Sequence, residues 1–498
     1  MASDLVPRKQ AQAATSVLQT TTEGSLLDAI VENGRLGQTD KEKKKNKGYL
    51  KELVDQVLVG QIKVDADTDR MLGQRIKEID ELLSAQLNET IHSPEFQKLE
   101  GAWRGLQYLV ANTDTSTMLK IKVLNVTKKD ILKDFTKQND WEAATIFKKV
   151  YEEQFGTLGG EPFGCLVGDY EITRHPEDVQ LLTNMSNVAA AAHAPFLAAA
   201  SPALFNWQNF TELASADRDV AKIFDNDAYV AWKDFRKSDD AKYVGLCLPH
   251  VLMRLPYGED TSRVEEFEYE EKVDGRDHKK YLWGNAAYAL ATRVTDAFAK
   301  HEWCAAIRGV EGGGLVEGLP AHNFQTDDGD DTVKCPTEIA ITDRREKEFS
   351  ELGFIPLSYY KGTTNAVFMA TRSANQPTKY LDADANANAL LSSQLQYTFA
   401  IARFAHFLKA MMRDKIGAFM SREQCQKFLD DWIQHYVLLD DFASQDAKSK
   451  FPLREAEITV SEDAAKPGVY KAVARLRPHF QLDAITISLR LVARQLKG

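Results

Sequence analysis

The side chains that could do chemistry are few and poorly grouped. A glycine cluster, Arg308-Gly309-Val310-Glu311-Gly312-Gly313-Gly314, is rich enough to approach a phosphate closely. It lacks the GxGxxG spacing, however, and follows an apparent helix, so a flexible loop is favoured over a nucleotide site. No GxxxxGK[ST], HExxH or GxSxG occurs, which removes the phosphate-cradling loop, the zinc peptidase and the common serine hydrolase. Two acidic runs imitate calcium loops. Asp65-x-Asp67-x-Asp69 has Arg70 where the sharp turn needs Gly and Ile76 where the ion needs a bidentate Glu. Asp382-x-Asp384-x-Asn386 has Ala387 and Ser393 there, so both runs read as helix caps or linker polarity. The ten histidines are dispersed, with no second histidine at i+3 or i+4, and His406 and His435 read as packing residues on apolar helices. Five scattered cysteines form no CxxC pair and read as reduced thiols. No catalytic residue, metal or cofactor is expected.

Composition points the same way. The chain has 498 residues, 44% hydrophobic and 27% charged, as in a soluble globular protein too long for one core. Sixty-two Lys and Arg against 73 Asp and Glu leave a net charge of −11. That balance disfavours nucleic acid and anionic lipid, both of which need a basic footprint. No apolar run is long enough to span a membrane, and the N-terminus has no signal-peptide core, so a cytoplasmic setting is expected.

The elements that would position functional residues are legible in the pattern. Residues 1–24 are poor in large apolar groups. Ser25 then caps a short helix, with Asp28 in its first turn and Leu26, Leu27, Ile30 and Val31 on one face. So short an amphipathic helix needs a partner, either its own protein or another. The basic run Lys41 to Lys47 reads as a solvated linker. Leu72, Ile76, Ile79, Leu82, Leu83 and Leu87 predict a core helix, and Ser93-Pro94 opens another carrying Phe96, Leu99, Trp103, Leu106 and Val110. Leu119, Ile121 and Val123 alternate with Lys120 and Lys122 as in a half-wet strand. From Phe163 to Leu255 strands (163–167, 194–200, 243–248) alternate with helices (176–192, 217–237), an α/β layer. A helix over 285–306 precedes the glycine cluster. Beyond the acidic break Thr326 to Asp331, short strands are expected at 338–341 and 366–371. A long helix over 390–416 and a capping-box helix from Ser421 follow, with strands at 454–460 and 469–476. The fold class is therefore α/β (mixed α+β).

The last segment, Ile485-Thr486-Ile487-Ser488-Leu489-Arg490-Leu491-Val492, alternates cleanly and lies near the C-terminus. A terminal strand of this kind either completes its own sheet or fills a sheet edge on another subunit.

Four stretches carry a resemblance to a known family: Glu23 to Asp28 (EGSLLD), Ile91 to Leu106 (IHSPEFQKLEGAWRGL), Arg254 to Gly258 (RLPYG) and Trp283 to Tyr288 (WGNAAY). From about residue 20 onward the chain resembles the large sheath subunit of type VI secretion systems, the TssC/VipB (EvpB-type) family. That resemblance implies a non-enzymatic protein with a multi-layer sheath fold. Residues 1–60 would hold an ATPase-docking helix and linker, and 61–330 a middle and outer domain with N-terminal helices. Residues 331–498 would form an inner, tube-facing domain ending in exchangeable strands. It implies pairing with a small sheath subunit (TssB/VipA) and with further copies in six-subunit rings. It also implies an inner Hcp tube, baseplate components and recycling by the AAA+ ATPase ClpV. Carried onto this chain, the ClpV helix is Ser25, Leu26, Leu27, Asp28, Ile30 and Val31, and the exchanged strand is Ile485 to Val492. A soluble adaptor, or a nucleotide-binding enzyme using Gly309 to Gly314, are the alternatives.

Overall fold

Alternation along three apolar strands organises the larger part of the protein. The computed structural model describes residues 30–31, 39–59, 68–138, 140–214, 219–265, 267–273, 275, 277–325, 329–418, 420–462, 470–479 and 481. The chain divides into two compact units, residues 1–87 with 266–269, and residues 88–265 with 270–498.

In the first unit, α1 (Asp40–Leu58) begins inside the lysine run. The expected linker is therefore a helix. Thr39 and Glu42 form a reciprocal capping box that satisfies two backbone donors, and the lysines lie along the helix mostly exposed to water. α2 (Thr68–Ile91) follows, and Arg75 Nη2 donates to Gln56 Oε1 of α1 at 3.2 Å. Its stripe Leu72, Ile76, Ile79, Leu82 and Leu83 is exposed, Leu82 by 69%, where a core face was expected.

The second unit is built on a six-stranded sheet. Its strands are β1 (Leu166–Ile172), β2 (Phe196–Ala200), β3 (Val244–Leu248), β4 (Leu315–Val316), β5 (Ile355–Tyr359) and β6 (Ala366–Phe368), in the order β1-β2-β3-β5-β6-β4. β1, β2, β3 and β5 run parallel, while β6 is antiparallel to β5 and β4. Both faces are covered. Phe196, Ala198, Val244, Leu246 and Leu248 point into one core, shared with Val179, Leu182 and Met185 of α5 (Pro176–Ala192). Leu197, Cys247, Ile355 and Leu357 point into the other, against α6 (Ala286–His301). Gly245 lets the far layer close, since a Cβ there would stand 2.7 Å from Leu395 Cδ1.

The strands beyond residue 330 thus complete a sheet begun before it, and the boundary expected at 330/331 falls inside one core. β5 was missed, because Pro356 argues against a central strand. The expected strand at 338–341 is irregular, and the long helix over 390–416 is interrupted at Ser393-Gln394 before α8 (Leu395–Asp414). Residues 119–123, expected as a half-wet strand, form no strand and belong to no ladder among the described residues.

Past α8, Trp303 stacks on Phe404 at 4.2 Å between centroids and opens a third core. α9 (Arg422–Gln434), with the expected Ser421/Gln424 capping box, supplies Leu429 and Ile433 to it. A hairpin of β7 (Leu453–Glu462) and β8 (Tyr470–Pro478) supplies Leu453, Ile458 and Val460.

Candidate assembly surfaces

The hairpin has two outer edges, and the sequence of α9 treats them differently. Gln426, Asp430 and Gln434 lie four residues apart, so they share one helix face. Ile458 N–H donates to Asp430 Oδ1 at 3.0 Å and Val460 N–H to Gln426 Oε1 at 3.3 Å, while Gln434 Nε2 donates to Ala456 C=O at 3.0 Å. Three outward backbone groups of β7 are therefore taken by α9. Across the ladder Ala456, Ile458 and Val460 stand opposite Leu476, Ala474 and Ala472. Partners in such a pair both turn their backbone groups outward. The N–H and C=O groups of Ala472, Ala474 and Leu476 line the outer edge of β8, where no ladder meets them among the described residues. Arg475 and Arg477 face Glu457 and Glu455 across the hairpin at 3.7 and 3.2 Å. Among the described residues the hairpin offers one open edge.

Of the anticipated docking residues, Ile30 and Val31 are helical, Ile30 43% exposed and Val31 buried. Ser25, Leu26, Leu27 and Asp28 lie outside the described residues, as does the whole of Ile485 to Val492.

Three of the four motifs that carry the family resemblance converge although the first and second of them are some 150 positions apart. α3 (Pro94–Ala111) brings Glu100 to Arg254, with Nε to Oε1 at 2.8 Å. Glu271, 1% exposed, takes Arg254 Nη1 at 2.6 Å, the Tyr257 N–H at 2.9 Å and His92 Nε2 at 3.0 Å. Arg104 adds Glu100 at 2.7 Å and the Tyr257 hydroxyl at 2.9 Å. Burial alone would depress the Arg254 guanidinium, but Glu271 and Glu100 outweigh it and hold its pKa above the ordinary value. Gly101 and Gly105 face the Trp283 to Tyr288 motif: a Cβ at Gly101 would sit 3.1 Å from Trp283 O, and one at Gly105 2.4 Å from the Tyr288 ring. These residues fix α3 on the sheet layer. None of them is arranged to react.

A second knot joins His250 to Glu338 and, at 3.1 Å, to Glu171, with His278 Nε2 2.9 Å from Glu338. The Phe210 N–H donates to Glu338 at 2.8 Å. Burial opposes charge on His250, but the two carboxylates prevail and raise it to about 10; burial likewise opposes charge on Glu338, which the two imidazoles bring down to about 2. Sequence reasoning missed this knot because its members are far apart and Glu338 was read into a strand.

The remaining chemical suspects are structural. Gly309 N–H donates to Phe368 C=O at 2.7 Å, Phe368 N–H to Gly314 C=O at 3.0 Å, and Gly314 N–H to Gly309 C=O at 2.9 Å. The expected flexible loop is thus a turn clamped to β6, and a Cβ at Gly314 would lie 2.6 Å from Phe368 O. Asp382 accepts the Ala385 N–H at 3.0 Å as a helix cap. His406 is buried with Nε2 2.8 Å from Ala192 C=O, and burial lowers it to about 4. Among the described residues no group of three His, Cys, Asp or Glu side chains could hold a metal ion, and no helix is long and apolar enough to cross a membrane.

A fold whose polar knots only brace it, and whose open strand edge faces outward, defines an assembly protein. The chain belongs to the EvpB/VC_A0108 tail sheath family, matching its N-terminal domain over residues 73–375 and its gpW/gp25-like domain over residues 384–495. It is 44% identical over 496 residues to the type VI secretion system sheath protein TssC1 of Pseudomonas aeruginosa, covering 99% of this chain and 98% of that one. The resemblance read from the motifs is borne out. Two solved structures are similar at TM-scores of 0.35 and 0.28: the baseplate of the anti-feeding prophage and its helical sheath in the contracted state. They are 11% and 12% identical, cover 63% and 62% of this chain and 66% of each matched chain, and are too distant to argue from.

Proposed function

We propose that this chain is the large subunit of a type VI contractile sheath whose copies are linked by strand exchange at the outer edge of β8. In this reading Ile485 to Val492 of a neighbouring copy adds to β8, because the matching edge of β7 is already covered by α9. Strand addition supplies about 1 kcal/mol net per hydrogen bond. Four buried apolar side chains add about 1.5–3 kcal/mol each, against about 1–2 kcal/mol per ordered residue. The surplus per joint is modest, which suits a linkage repeated along a polymer.

With the small sheath subunit, TssB/VipA in the resembling family, the chain forms six-subunit rings around an Hcp tube in the cytoplasm, mounted on an envelope-anchored baseplate. The part beyond the six-stranded sheet, from α8 to the C-terminus, faces the tube, and the sheet layer forms the layer outside it. Contraction is a fall between two packings of rigid units about intact strand tethers. It consumes no nucleotide and involves no enzymatic step. ClpV then grips Ser25 to Val31 through Leu26, Leu27, Ile30 and Val31 and dismantles the contracted form.

The open β8 edge carries the proposal. Removing residues 485–498 from the chain co-expressed with the small subunit should leave heterodimers that fail to polymerise. Normal tubes from the truncated protein would refute the exchange.

A further inference from the structure

The two faces of β8 differ in kind, and the difference dictates how a further strand can lie against its outer edge. Ala472, Ala474 and Leu476 stand opposite Val460, Ile458 and Ala456 and so share the face that packs on the third core. The other face carries Lys471, Val473, Arg475 and Arg477, all exposed. Arg475 and Arg477 are matched to Glu457 and Glu455 across the hairpin, while Val473 stands opposite Thr459. Three cations therefore flank one uncharged position.

The segment Ile485 to Val492 has the complementary alternation. Ile485, Ile487, Leu489 and Leu491 fall on one face of a strand, and Thr486, Ser488, Arg490 and Val492 on the other. Keeping the apolar set on the side of Ala472, Ala474 and Leu476 restricts an antiparallel partner to registers two residues apart. One sets Arg490 opposite Val473, Ser488 opposite Arg475 and Thr486 opposite Arg477. It also lays Leu491 beside Ala472 and Leu489 beside Ala474, so that large side chains meet small ones. A slide of two residues either way sets Arg490 opposite Lys471 or Arg475, and like charges directly opposite destabilise a ladder. A slide of four brings it to Arg477 or carries it beyond Tyr470, the first residue of β8. A parallel strand with Arg490 at Val473 would carry Ile485 beyond Tyr470 and lose that pair.

The root of the tail decides which copy supplies the strand. His479 N–H donates to Pro452 C=O at 3.0 Å, Gln481 N–H to Tyr397 Oη at 3.0 Å, and Gln481 Nε2 to Ala305 C=O at 3.3 Å. A return onto the same β8 in this register would use residues 479–484 as its turn, and those bonds commit two of them elsewhere. A second copy is the donor.

We propose that the exchanged strand of a second copy lies antiparallel on β8 in the single register that pairs Arg490 with Val473, and that Val473, uncharged among Lys471, Arg475 and Arg477, selects it. The proposal rests on the sheath reading above and adds direction and register to it.

The test uses the full chain co-expressed with the small subunit. Because the outward backbone groups of β8 belong to residues 472, 474 and 476, positions 473 and 490 form a non-hydrogen-bonded pair with Cα atoms about 4.5 Å apart. That is within disulfide reach, whereas a partner two positions away lies about 7–8 Å off. On oxidation of the tubes, Val473→Cys with Arg490→Cys should link chains to one another at least about ten-fold more than Lys471→Cys or Arg475→Cys with Arg490→Cys. Linkage chiefly through position 471 or 475 overturns the register and leaves the exchange standing. A bond closed within one chain overturns the second-copy donor, and tubes in which none of the three pairs links overturn the strand's place on β8. A charge swap needs no cysteine. Val473→Arg, at a side chain 61% exposed, should keep wild-type thermal unfolding and lose the tubes, and adding Arg490→Glu should restore them. Normal tubes from Val473→Arg, or no recovery in the double variant, overturn the register. Failure of the exchange itself shows separately, as normal tubes from the chain lacking residues 485–498.

Discussion

Glu271→Ala is the sharpest probe of the second unit's rigidity. The side chain is 1% exposed and serves three partners, the Arg254 guanidinium at 2.6 Å, the Tyr257 N–H and His92. Truncation leaves Arg254 buried with Glu100 as its remaining carboxylate and removes the acceptor from the Tyr257 amide. Breaking a buried ion pair from one side costs about 3–5 kcal/mol, because the other charge stays in place without its full set of partners. An orphaned amide costs about 1–3 kcal/mol, but the two losses share one site and do not add. A net loss of about 3–5 kcal/mol is expected, a large part of the roughly 5–15 kcal/mol that holds a typical domain folded. Urea titration followed by tryptophan fluorescence suits the measurement, since Trp103 and Trp283 lie on the elements that the knot connects. Glu271→Ala combined with Arg254→Leu should cost less than the two single changes together, because no charge is left stranded. A single-variant loss below about 1 kcal/mol, the range of an exposed pair, would show that the knot does not brace the layer.

Four other perturbations follow from the same geometry. Gly105→Ala puts a Cβ 2.4 Å from the Tyr288 ring and should destabilise by about 1–3 kcal/mol in the same titration; a stabilised variant, as helix propensity alone would give, contradicts the α3–α6 packing. The His250 contribution is full below the ordinary histidine value of 6.5 and fades as pH rises through about 10, whereas that of Glu338 is full above 4.5 and fades as pH falls toward about 2. Melting temperature should therefore drop on acidification below about pH 4.5 with a slope that Glu338→Gln flattens, and identical acid limbs in the two proteins would contradict the knot. Ala474→Pro removes an outward N–H of β8 and should abolish tubes while the chain stays soluble and folded; tubes of normal length would argue against that edge. Leu27→Ala with Ile30→Ala should weaken ClpV capture in a pull-down with assembly intact, and undiminished capture would count against the docking helix.

Elements whose local signals agree were legible in the sequence. The helix over Pro176–Ala192 shows Pro at its first position, acidic residues in its first turn and a continuous apolar face, and it runs as expected. Ser421/Gln424 and Asn285 likewise mark real helix starts. Misreadings arose where charge masked structure or where tertiary contacts decided. Lys41 to Lys47 looks like linker by charge alone, but Thr39 and Glu42 already contain the capping box that starts α1. β5 holds Pro356 in the middle of a sheet against the usual preference. Residues 119–123 have the pattern of a strand but no ladder partner among the described residues. The family motifs pointed to the right residues, yet only the fold shows why His92, Glu100, Arg104, Arg254 and Tyr257 matter: they meet around Glu271. The His250–Glu338 knot has no sequence signal, because its members are far apart and each is an ordinary polar residue by itself.

Electron microscopy of the full chain co-expressed with a small sheath subunit tests the central claim most directly. The account predicts long hollow tubes with six-fold rings, and shorter heterodimeric particles once residues 485–498 are removed. A wild-type preparation that remains monodisperse with the small subunit present, and never forms tubes, would contradict it.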